Sequence, residues 1–457
     1  MLQRVATELS RTPFRKSHGK VTLVLYNEPF WCGGKCLYCF VAKGGGFTRS
    51  TSENEDTKLA RDCDWEAGCQ LRKRFLNYGL SHGLGYKYEL AVKGDSFTRH
   101  AWEYLEGYVK DCYDFLNGHP SSSLEEAAAT QASAPDRCVT FKVETRPDYI
   151  DEEWCQFLLK LGVTTVELGV QSLHEDVLEF NRRGHGVESV RHATRLLKQH
   201  GFEVLYQMMA GLPGSTLEKD LETLTNRLWQ AQFCPDALKI YPCILLNGTV
   251  ARHIRLTELL QSSQWKPLSS DAYVGLLREA YPSIPRYVHV NRIQRIFEPG
   301  KIAAGPAQAI DRSQFDDVSR CLWQRSIAQR RSDLEDDFSA YRIVHTPQGN
   351  GHCFEAVLDD DTAIGYSRLD MLDGELAIIR DVRALGNMLP VTDKNARRLG
   401  SQHIGVGKNL VKAMEDLART RGGGAVQVHP SFGTMQYFMD RGYSTSARNY
   451  LAKRLDE

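Results

Sequence analysis

The stretch WCGGKCLYCF, residues 31–40, places Cys32, Cys36 and Cys39 on one short segment directly after the apolar run VTLVLY at 21–26. A structural zinc site normally has four protein ligands. The next cysteines, Cys63 and Cys69, come more than twenty residues later. Three thiolates on a four-iron cluster would leave one iron open to a substrate or cofactor. The spacing therefore favours an iron–sulfur cluster over a zinc site that borrows a remote ligand.

Strand-like and helix-like segments alternate outward from this loop. The strand-like runs lie at 21–26, 87–92, 138–144, 164–172, 203–211 and 236–242, and the helical stretches at 102–118, 154–162, 190–201 and 218–232. This alternation predicts an α/β fold with a parallel sheet and right-handed crossovers. Because no nucleotide-type glycine fingerprint follows the first strand, we expect a partial or full (β/α) barrel, whose chemistry lies on loops after the strands.

Polar residues follow the next three predicted strands at the same edge. Gly94 and Asp95 follow the second strand, Glu144 ends the third and Gln171 ends the fourth. They are candidates for binding a small molecule beside the thiols. An ordinary turn at Gly94 and Asp95, and plain solvation of loop ends at the other two, are the alternatives.

Length and composition indicate several domains. The 457 residues carry a net charge of +0 and are 42% hydrophobic, and no apolar segment approaches the length of a bilayer span. We expect a cytoplasmic protein, in which the 12 cysteines are more often thiols or metal ligands than disulfides. The predicted division is a basic segment at 1–20, the barrel at 21–245, a basic helical connector at 246–335 and a second domain at 336–457.

A glycine-rich loop opens a helix in the second domain. The loop comprises Gln402, His403, Ile404, Gly405, Val406 and Gly407. A helix that begins at such a turn offers free backbone N–H groups, which bind pyrophosphate. Tyr437 lies in the following helix-like stretch. A surface position for His403 and core packing for Tyr437 are the alternatives.

Two basic segments are candidates for contact with a nucleic-acid backbone. Their members are Arg4, Arg11, Arg15, Lys16, Lys20, Arg292, Arg295, Arg325, Arg330 and Arg331. A merely solvated surface is the alternative.

The thiol spacing, with Tyr38 just before the last cysteine, resembles the radical S-adenosylmethionine (SAM) superfamily. The pattern Q-x-x-G-x-G, helix, strand, helix, R-G-Y resembles the GNAT acetyltransferases. The two together, with the stretches RCVTFKVETRPDY, VELGVQS, NRRGH and RDVRALGNMLPV, resemble the family of Elongator catalytic subunits, including bacterial single-chain members.

This resemblance implies a radical SAM barrel followed by a GNAT α+β domain. It implies a [4Fe-4S] cluster on the three thiols and SAM at Gly94, Asp95, Glu144 and Gln171. It also implies acetyl-CoA on residues 402–407, with Tyr437 as an acid toward the departing thiolate. The implied product is 5-carboxymethyluridine at the wobble position of a tRNA anticodon stem-loop, with an external electron donor.

Some features depart from the family pattern. Lys93 stands where the family usually has a glycine, only three residues separate the first two cluster cysteines, and Phe438 replaces a second tyrosine. Family members are thought to hold a structural metal such as zinc, for which Cys321 is the one candidate, although a buried thiol is the favoured interpretation.

Two other functions stay open from the sequence. One is a protein lysine acetyltransferase with a structural iron–sulfur domain, and the other is a non-catalytic tRNA-binding module. Formation of a homodimer also stays open.

Overall fold

A computed structural model of the chain describes residues 19–39, 55–94, 96–247, 254–295, 297, 300–329, 338, 340–372, 375–386, 404–446 and 449–455. Several predicted site residues lie outside these described residues. They are Arg4, Arg11, Arg15, Lys16, Asp95, Arg330, Arg331, Gln402 and His403.

The first sheet has seven parallel strands, curled into a half-barrel. They are β1 (Val21–Tyr26), β2 (Lys87–Lys93), β3 (Arg137–Thr145), β4 (Thr165–Gln171), β5 (Glu203–Ala210), β6 (Ala237–Pro242) and β8 (His289–Arg292). The six predicted strands are confirmed. Strand β8 lies in the segment predicted to be helical. Only Val290 of its four residues is buried, so the sequence offers no alternation of apolar and polar residues that would predict a strand.

Helices connect these strands, and most of them cover the outer face of the half-barrel. They are α1 (Glu55–Arg61), α2 (Ala67–Asn77), α3 (Trp102–Asn117), α4 (Leu124–Gln131), α5 (Glu152–Lys160), α6 (Glu175–Phe180), α7 (Val187–Gln199), α8 (Leu217–Thr225), α9 (Ile254–Gln261), α10 (Ser270–Ala280) and α11 (Leu322–Arg325). Helix α5 begins where the Asp151 side chain accepts a bond from the Trp154 amide at 2.8 Å, a typical N-terminal cap. A short ladder joins β7 (Leu245–Leu246) and β9 (Ile302–Ala304).

Alternation along each barrel strand separates an apolar outer face from an inner face. In β1, Val21, Leu23 and Leu25 are completely buried in the core beneath the helices. Thr22 and Val24 point to the opposite side and remain partly exposed. The hydrophobic core of the first domain therefore lies outside the half-barrel, between the sheet and its helices.

The second sheet is mostly antiparallel. Its order is β10 (Arg342–Gln348), β11 (Gly351–Val357), β12 (Ala363–Met371), β13 (Leu376–Ala384), β14 (Ala425–Val428), β16 (Leu451–Arg454), β15 (Ser444–Thr445). Strands β13 and β14 pair in parallel, and α12 (Val406–Thr420) and α13 (Met435–Met439) belong to the same unit. Helix α12 packs Leu410 and Met414 into the core of this sheet. The antiparallel start predicted for this part of the chain is confirmed.

A buried ion cluster joins the two sheets. Asp236, just before β6, accepts a bond from Arg380 at 2.5 Å and lies 3.6 Å from Arg368. All three side chains are completely buried. Gln348 also donates to Asp236. Because the arginines and the glutamine come from the second sheet, this cluster fixes one domain on the other.

Two further findings concern the chain as a whole. Cys63, in the turn after α1, forms a disulfide with Cys69 of α2, so the expectation that the cysteines remain thiols or metal ligands is wrong for this pair. None of the helices in the described ranges is both long enough and apolar enough to cross a lipid bilayer.

Candidate active site

The three thiols lie on the loop that follows β1, at the carboxyl edge of the half-barrel, and all are partly exposed. The loop is tied to its neighbours at two points. The Tyr149 hydroxyl donates to the Cys32 carbonyl at 2.6 Å, and the Leu37 amide donates to the Asn181 carbonyl at 3.1 Å. These bonds hold the loop above the strand ends, where the sequence places it.

The surroundings of the thiols suit an anionic group. A Cβ at Gly34 would lie 2.9 Å from Nη1 of Arg146, 3.2 Å from Sγ of Cys32 and 3.7 Å from Sγ of Cys36. That Arg146 nitrogen is buried and has no hydrogen-bond partner. Arg183 donates to Sγ of Cys36 at 3.5 Å. Unpaired guanidinium N–H groups beside thiols fit a cluster whose ligands are thiolates.

The three thiols are not gathered around one point. Among the residues that the structure describes, no three His, Cys, Asp or Glu side chains come together where they could hold one ion. Thiolates of a four-iron cluster bind different irons and need not meet at one point. The thiols as ligands of an iron–sulfur cluster stay a prediction.

Three of the predicted SAM-binding residues lie at the same edge as the thiols. The Gly94 amide donates to Oε1 of Glu144 at 3.4 Å. A Cβ at Gly94 would overlap the Asn27 side chain, so any larger residue here would have to displace Asn27. Gln171 ends β4 with a φ of 75°, an uncommon backbone conformation outside glycine. Three of the residues predicted to bind a small molecule thus lie together at one edge of the sheet, and the binding of SAM there stays a prediction.

Sequence reasoning missed the residues that surround Glu144. Lys93 lies 3.3 Å from Glu144 and 2.6 Å from Glu167. Gln207 donates to both carboxylates, at 3.2 and 3.0 Å. The signal was the position of Lys93, Glu167 and Gln207 in phase with one face of strands whose opposite face is apolar.

The glycine loop of the second domain begins α12 with free backbone amides. Gly405 precedes the helix with a φ of 95°, a left-handed conformation that glycine adopts without strain. A Cβ at Gly407 would lie 2.7 Å from the Tyr437 hydroxyl. The absence of side chains at these two positions lets another group approach the helix end closely.

A cavity of about 510 Å³ lies beside this helix end. Ile379–Ala384, Gly405–Lys408 and Tyr437 form one wall. The opposite wall comes from the amino edge of the half-barrel and includes Lys20 and Glu203. The cavity therefore lies between the two domains, on the far side of the barrel from the thiol loop.

Tyr437 brings a protonated hydroxyl to the cavity. Its Oη is buried without a hydrogen-bond partner, and the Arg441 guanidinium lies 3.4 Å from the centre of its ring. Burial raises the pKa of Tyr437 above its usual value. The hydroxyl keeps its proton at neutral pH and can donate a hydrogen bond to a bound molecule.

The structure corrects two of the predicted RNA-contacting residues. Lys20 is only 6% exposed, and its ammonium bonds to Glu89 at 2.5 Å and Thr140 at 3.0 Å. The Arg325 side chain is 10% exposed and pairs with Glu355. Both cations are neutralised inside the protein, so neither can reach a phosphate backbone.

The other two described basic candidates remain accessible. Arg292 is exposed at the end of β8, and Arg295 is partly exposed, with its guanidinium 5.8 Å from the ring centre of Phe297.

Cys321 is completely buried and donates to Gln324 at 3.2 Å. That environment matches the buried-thiol interpretation and offers no ligand set for the suggested structural metal within the described ranges.

As a test of the acetyl-CoA site predicted at residues 402–407, we expect Gly407→Ala to weaken acetyl-CoA binding about tenfold or more. The new methyl group would displace the Tyr437 hydroxyl and fill space beside the helix end. Isothermal titration calorimetry on purified protein measures this. Gly275→Ala, on α10 with open space around its Cα, is the matched control and should bind as wild type. Equal affinities for all three proteins would place the ligand elsewhere.

Comparisons with known proteins agree with this geometry. Residues 98–226 match the radical SAM superfamily model, and residues 235–324 match the model of the radical SAM C-terminal domain. The chain is 31% identical to a tRNA uridine(34) acetyltransferase of Dehalococcoides mccartyi, over 98% of this chain and 100% of that protein. It is 28% identical to human Elongator complex protein 3, over 98% of this chain and 86% of that protein.

A solved structure extends the likeness to the arrangement of both domains. The archaeal Methanocaldococcus infernus Elp3, with an N-terminal deletion, superposes with a TM-score of 0.78 at 26% identity. The match covers 96% of this chain and 99% of that chain. The barrel and the second sheet are therefore arranged here as they are in that protein.

Proposed function

The chain belongs to the family of tRNA uridine(34) acetyltransferases, and we propose that it converts the wobble uridine of tRNA to 5-carboxymethyluridine. Its substrates would be SAM and acetyl-CoA, with an external one-electron donor. The observation that carries this proposal is the pairing of two sites on one half-barrel. A three-thiol loop lies at its carboxyl edge, and a cavity bounded by a glycine-rich helix start lies at its amino edge.

The three thiols would hold the cluster, and the strand ends beside them would hold SAM. When bound, these cofactors would supply a carbon radical strong enough to take hydrogen from a methyl group, which no side chain can do. Gly94, Glu144 and Gln171 offer one backbone amide and two polar side chains at this edge. The guanidinium groups of Arg146 and Arg183 balance negative charge on the thiolates.

The glycine loop would bind the pyrophosphate of acetyl-CoA through the free amides at the start of α12. Hydrolysis of the thioester then needs a proton for the departing thiolate. The Tyr437 hydroxyl holds such a proton at neutral pH and lines the cavity. Water would add to the carbonyl carbon as the carbon–sulfur bond breaks, leaving a carboxylate and coenzyme A.

The carboxyl edge is also where RNA would dock. Arg292 is exposed at the end of β8, the same end of the sheet that carries the thiol loop, and Arg295 follows it. Contacts from such residues to phosphates give salt-dependent affinity without reading sequence. A single-stranded anticodon base can leave its stack and reach the edge of the barrel.

The test is anaerobic reconstitution with iron and sulfide, followed by incubation with tRNA, SAM, acetyl-CoA and dithionite. We expect mass spectrometry of digested tRNA to show a carboxymethyl group on the wobble uridine, and only when all four reagents are present. An unmodified uridine beside full iron loading would overturn the proposal.

The same reactions separate the two alternatives. A protein lysine acetyltransferase would transfer the acetyl group to peptide without SAM or reductant. A non-catalytic RNA-binding module would bind tRNA tightly and leave SAM intact. Deoxyadenosine formed together with the modified nucleoside would contradict both.

A further inference from the structure

Two aromatic side chains lie exposed directly before the first cysteine of the thiol loop. Phe30 is 47% exposed and Trp31 is 41% exposed. The other large apolar side chains that the described part of the chain exposes are single residues, separated from one another along the sequence. Isolated exposed apolar residues are normal on protein surfaces, whereas neighbouring ones beside a functional site indicate a surface that contacts a partner.

Contacts with the rest of the protein hold both side chains in place. The Trp31 indole N–H donates to the Gly34 carbonyl at 3.4 Å. The Phe30 ring lies against His100, with the ring centres 5.4 Å apart, and His100 stacks on Tyr104 at 5.0 Å. Because the two exposed rings are already ordered, a ligand that stacks on them would lose little conformational entropy.

Exposed cations surround the two rings at the carboxyl edge of the half-barrel. Lys35 is exposed on the thiol loop itself. Arg99 is exposed, and its guanidinium lies 5.4 Å from the ring centre of Tyr149, whose hydroxyl bonds to the same loop. Arg182 is exposed and follows Asn181, whose carbonyl accepts a bond from the loop. The aromatic pair therefore lies within a rim of positive charge.

Acidic residues offset little of this charge. The rim is formed by residues 27–39, 97–100, 146–149 and 181–186, and its acidic members are Glu28 and Asp148. Asp148 already accepts two bonds from the buried Arg146, at 2.9 and 2.8 Å. Exposed aromatic rings among cations are the combination with which proteins bind single-stranded nucleic acid, since the rings stack on bases and the cations contact phosphates.

We propose that Phe30 and Trp31 form a stacking platform for an unpaired base of an RNA loop, while Lys35, Arg99 and Arg182 contact its phosphates. The inference rests on the proposed function and adds the residues that hold the RNA over the thiol edge. The stacked base is a neighbour of the modified uridine, because the uridine itself has to reach the thiol loop. No bond forms or breaks on the platform.

The chemistry of the platform selects single strands and reads no sequence. Every base has an aromatic face, so stacking on Trp31 or Phe30 would accept any neighbour of the uridine. In a double helix the faces of the bases are covered by the next base pairs, whereas the bases of a loop can be splayed out. We therefore expect an RNA loop to depend on the two rings and a paired RNA of the same length not to.

The test measures RNA affinity by fluorescence anisotropy on cluster-loaded protein kept free of oxygen. The probe is a labelled stem-loop RNA whose loop carries an anticodon with a wobble uridine, and the same strand paired with its complement is the second probe. We expect Trp31→Ala to weaken binding of the stem-loop about tenfold, and Trp31→Phe, which keeps a ring, to bind nearly as wild type. The control is Leu76→Ala, a residue 75% exposed at the end of α2, which should change nothing.

The salt dependence of binding separates stacking from charge. A lost phosphate contact lowers the slope of log affinity against log salt concentration by about 0.7 for a single strand. We expect Arg99→Gln to lower the slope by this amount and Trp31→Ala to leave it unchanged, although both weaken binding. A changed slope for Trp31→Ala with none for Arg99→Gln would contradict these roles.

Failure of the platform and failure of the proposed function give different results. Equal stem-loop affinity of wild type and folded Trp31→Ala, with tRNA still modified, would overturn the platform alone. A wild type that binds no stem-loop and modifies no tRNA would remove the proposed function, and the platform with it. If Trp31→Ala does not fold, Phe30→Ala takes its place with the same expectations.

Two other occupants of the rings would show themselves in the same variants. Weaker binding of SAM by Trp31→Ala with unchanged RNA affinity would assign the rings to the cofactor. Loss of self-association in light scattering with unchanged RNA affinity would assign them to a second copy of the chain. Either result would overturn the platform.

Discussion

Cys36→Ala is expected to abolish cluster assembly, and with it all cleavage of SAM and all modification of tRNA. The three thiols are the only cysteines on the loop at the carboxyl edge, and Cys36 occupies its middle beside Arg183. A cluster held by only two thiolates loses one of its three protein bonds and exposes a second iron. Iron content after anaerobic reconstitution and deoxyadenosine yield measure the effect.

The matched control is Cys155→Ala. Cys155 is completely buried on helix α5, away from the loop, and alanine suits a helix. This variant should keep about four irons per chain and normal SAM cleavage. If Cys36→Ala loads iron and cleaves SAM as the control does, the thiol loop is not the cluster site.

The strands and the thiol loop were predictable because their signals are local. Alternating apolar positions gave the six barrel strands, and the spacing of Cys32, Cys36 and Cys39 indicated a three-ligand cluster at the end of the first. The glycine loop before α12 was equally readable, since a turn that opens a helix leaves amides free wherever it occurs. The short strand β8 has no such pattern.

The packing of the second domain against the barrel was not predictable. Nothing local in the sequence says that this domain closes the amino edge of the sheet. Lys20 and Arg325 therefore look like surface cations in the sequence, yet in the fold they pair with Glu89 and Glu355. A basic residue looks the same in the sequence whether it lies on the surface or in a buried ion pair. Only its partner in the folded structure distinguishes the two cases.

The inner face of the barrel illustrates the same limit. Glu144 could be found because it ends a strand, whereas Glu167 and Lys239 lie inside strands and look like ordinary polar alternation. Alternation normally separates a core from bulk water. Here the sheet curls, so the polar side faces the inside of the half-barrel, where Lys93 and Lys239 pair with Glu167.

Asp236→Asn is expected to destabilise the protein by about 3–5 kcal/mol at pH 7. The carboxylate pairs with Arg380 and lies 3.6 Å from Arg368, both completely buried. Among the residues that the structure describes, its loss leaves the buried Arg368 without an acidic partner and Arg380 with only Asp370, 2.9 Å away, and it weakens the contact between the domains. Urea unfolding followed by tryptophan fluorescence measures the change.

The control is the same substitution at a solvent-accessible carboxylate, that of Asp361, which also lies 3.5 Å from Arg325 and 3.9 Å from Arg342. Asp361 lies 2.8 Å from Arg286 and its side chain is 41% exposed. Because solvent screens such pairs, Asp361→Asn should cost about 0–1 kcal/mol. If the free energy of unfolding falls no more for Asp236→Asn than for Asp361→Asn, the buried cluster does not hold the two domains together.

The stabilisation by Asp236 should also depend on pH in a defined direction. Burial would raise the pKa of Asp236, but Arg380 and Arg368 outweigh burial and hold its pKa well below the usual range. A carboxyl whose pKa falls on folding contributes its full stability above the unfolded value of about 3.9 and loses it as pH drops below. The wild type should therefore exceed Asp236→Asn by the full difference at pH 7, and the gap should narrow only below about pH 4. A difference that stayed constant down to pH 3 would mean that Asp236 is not the anion that holds the two arginines.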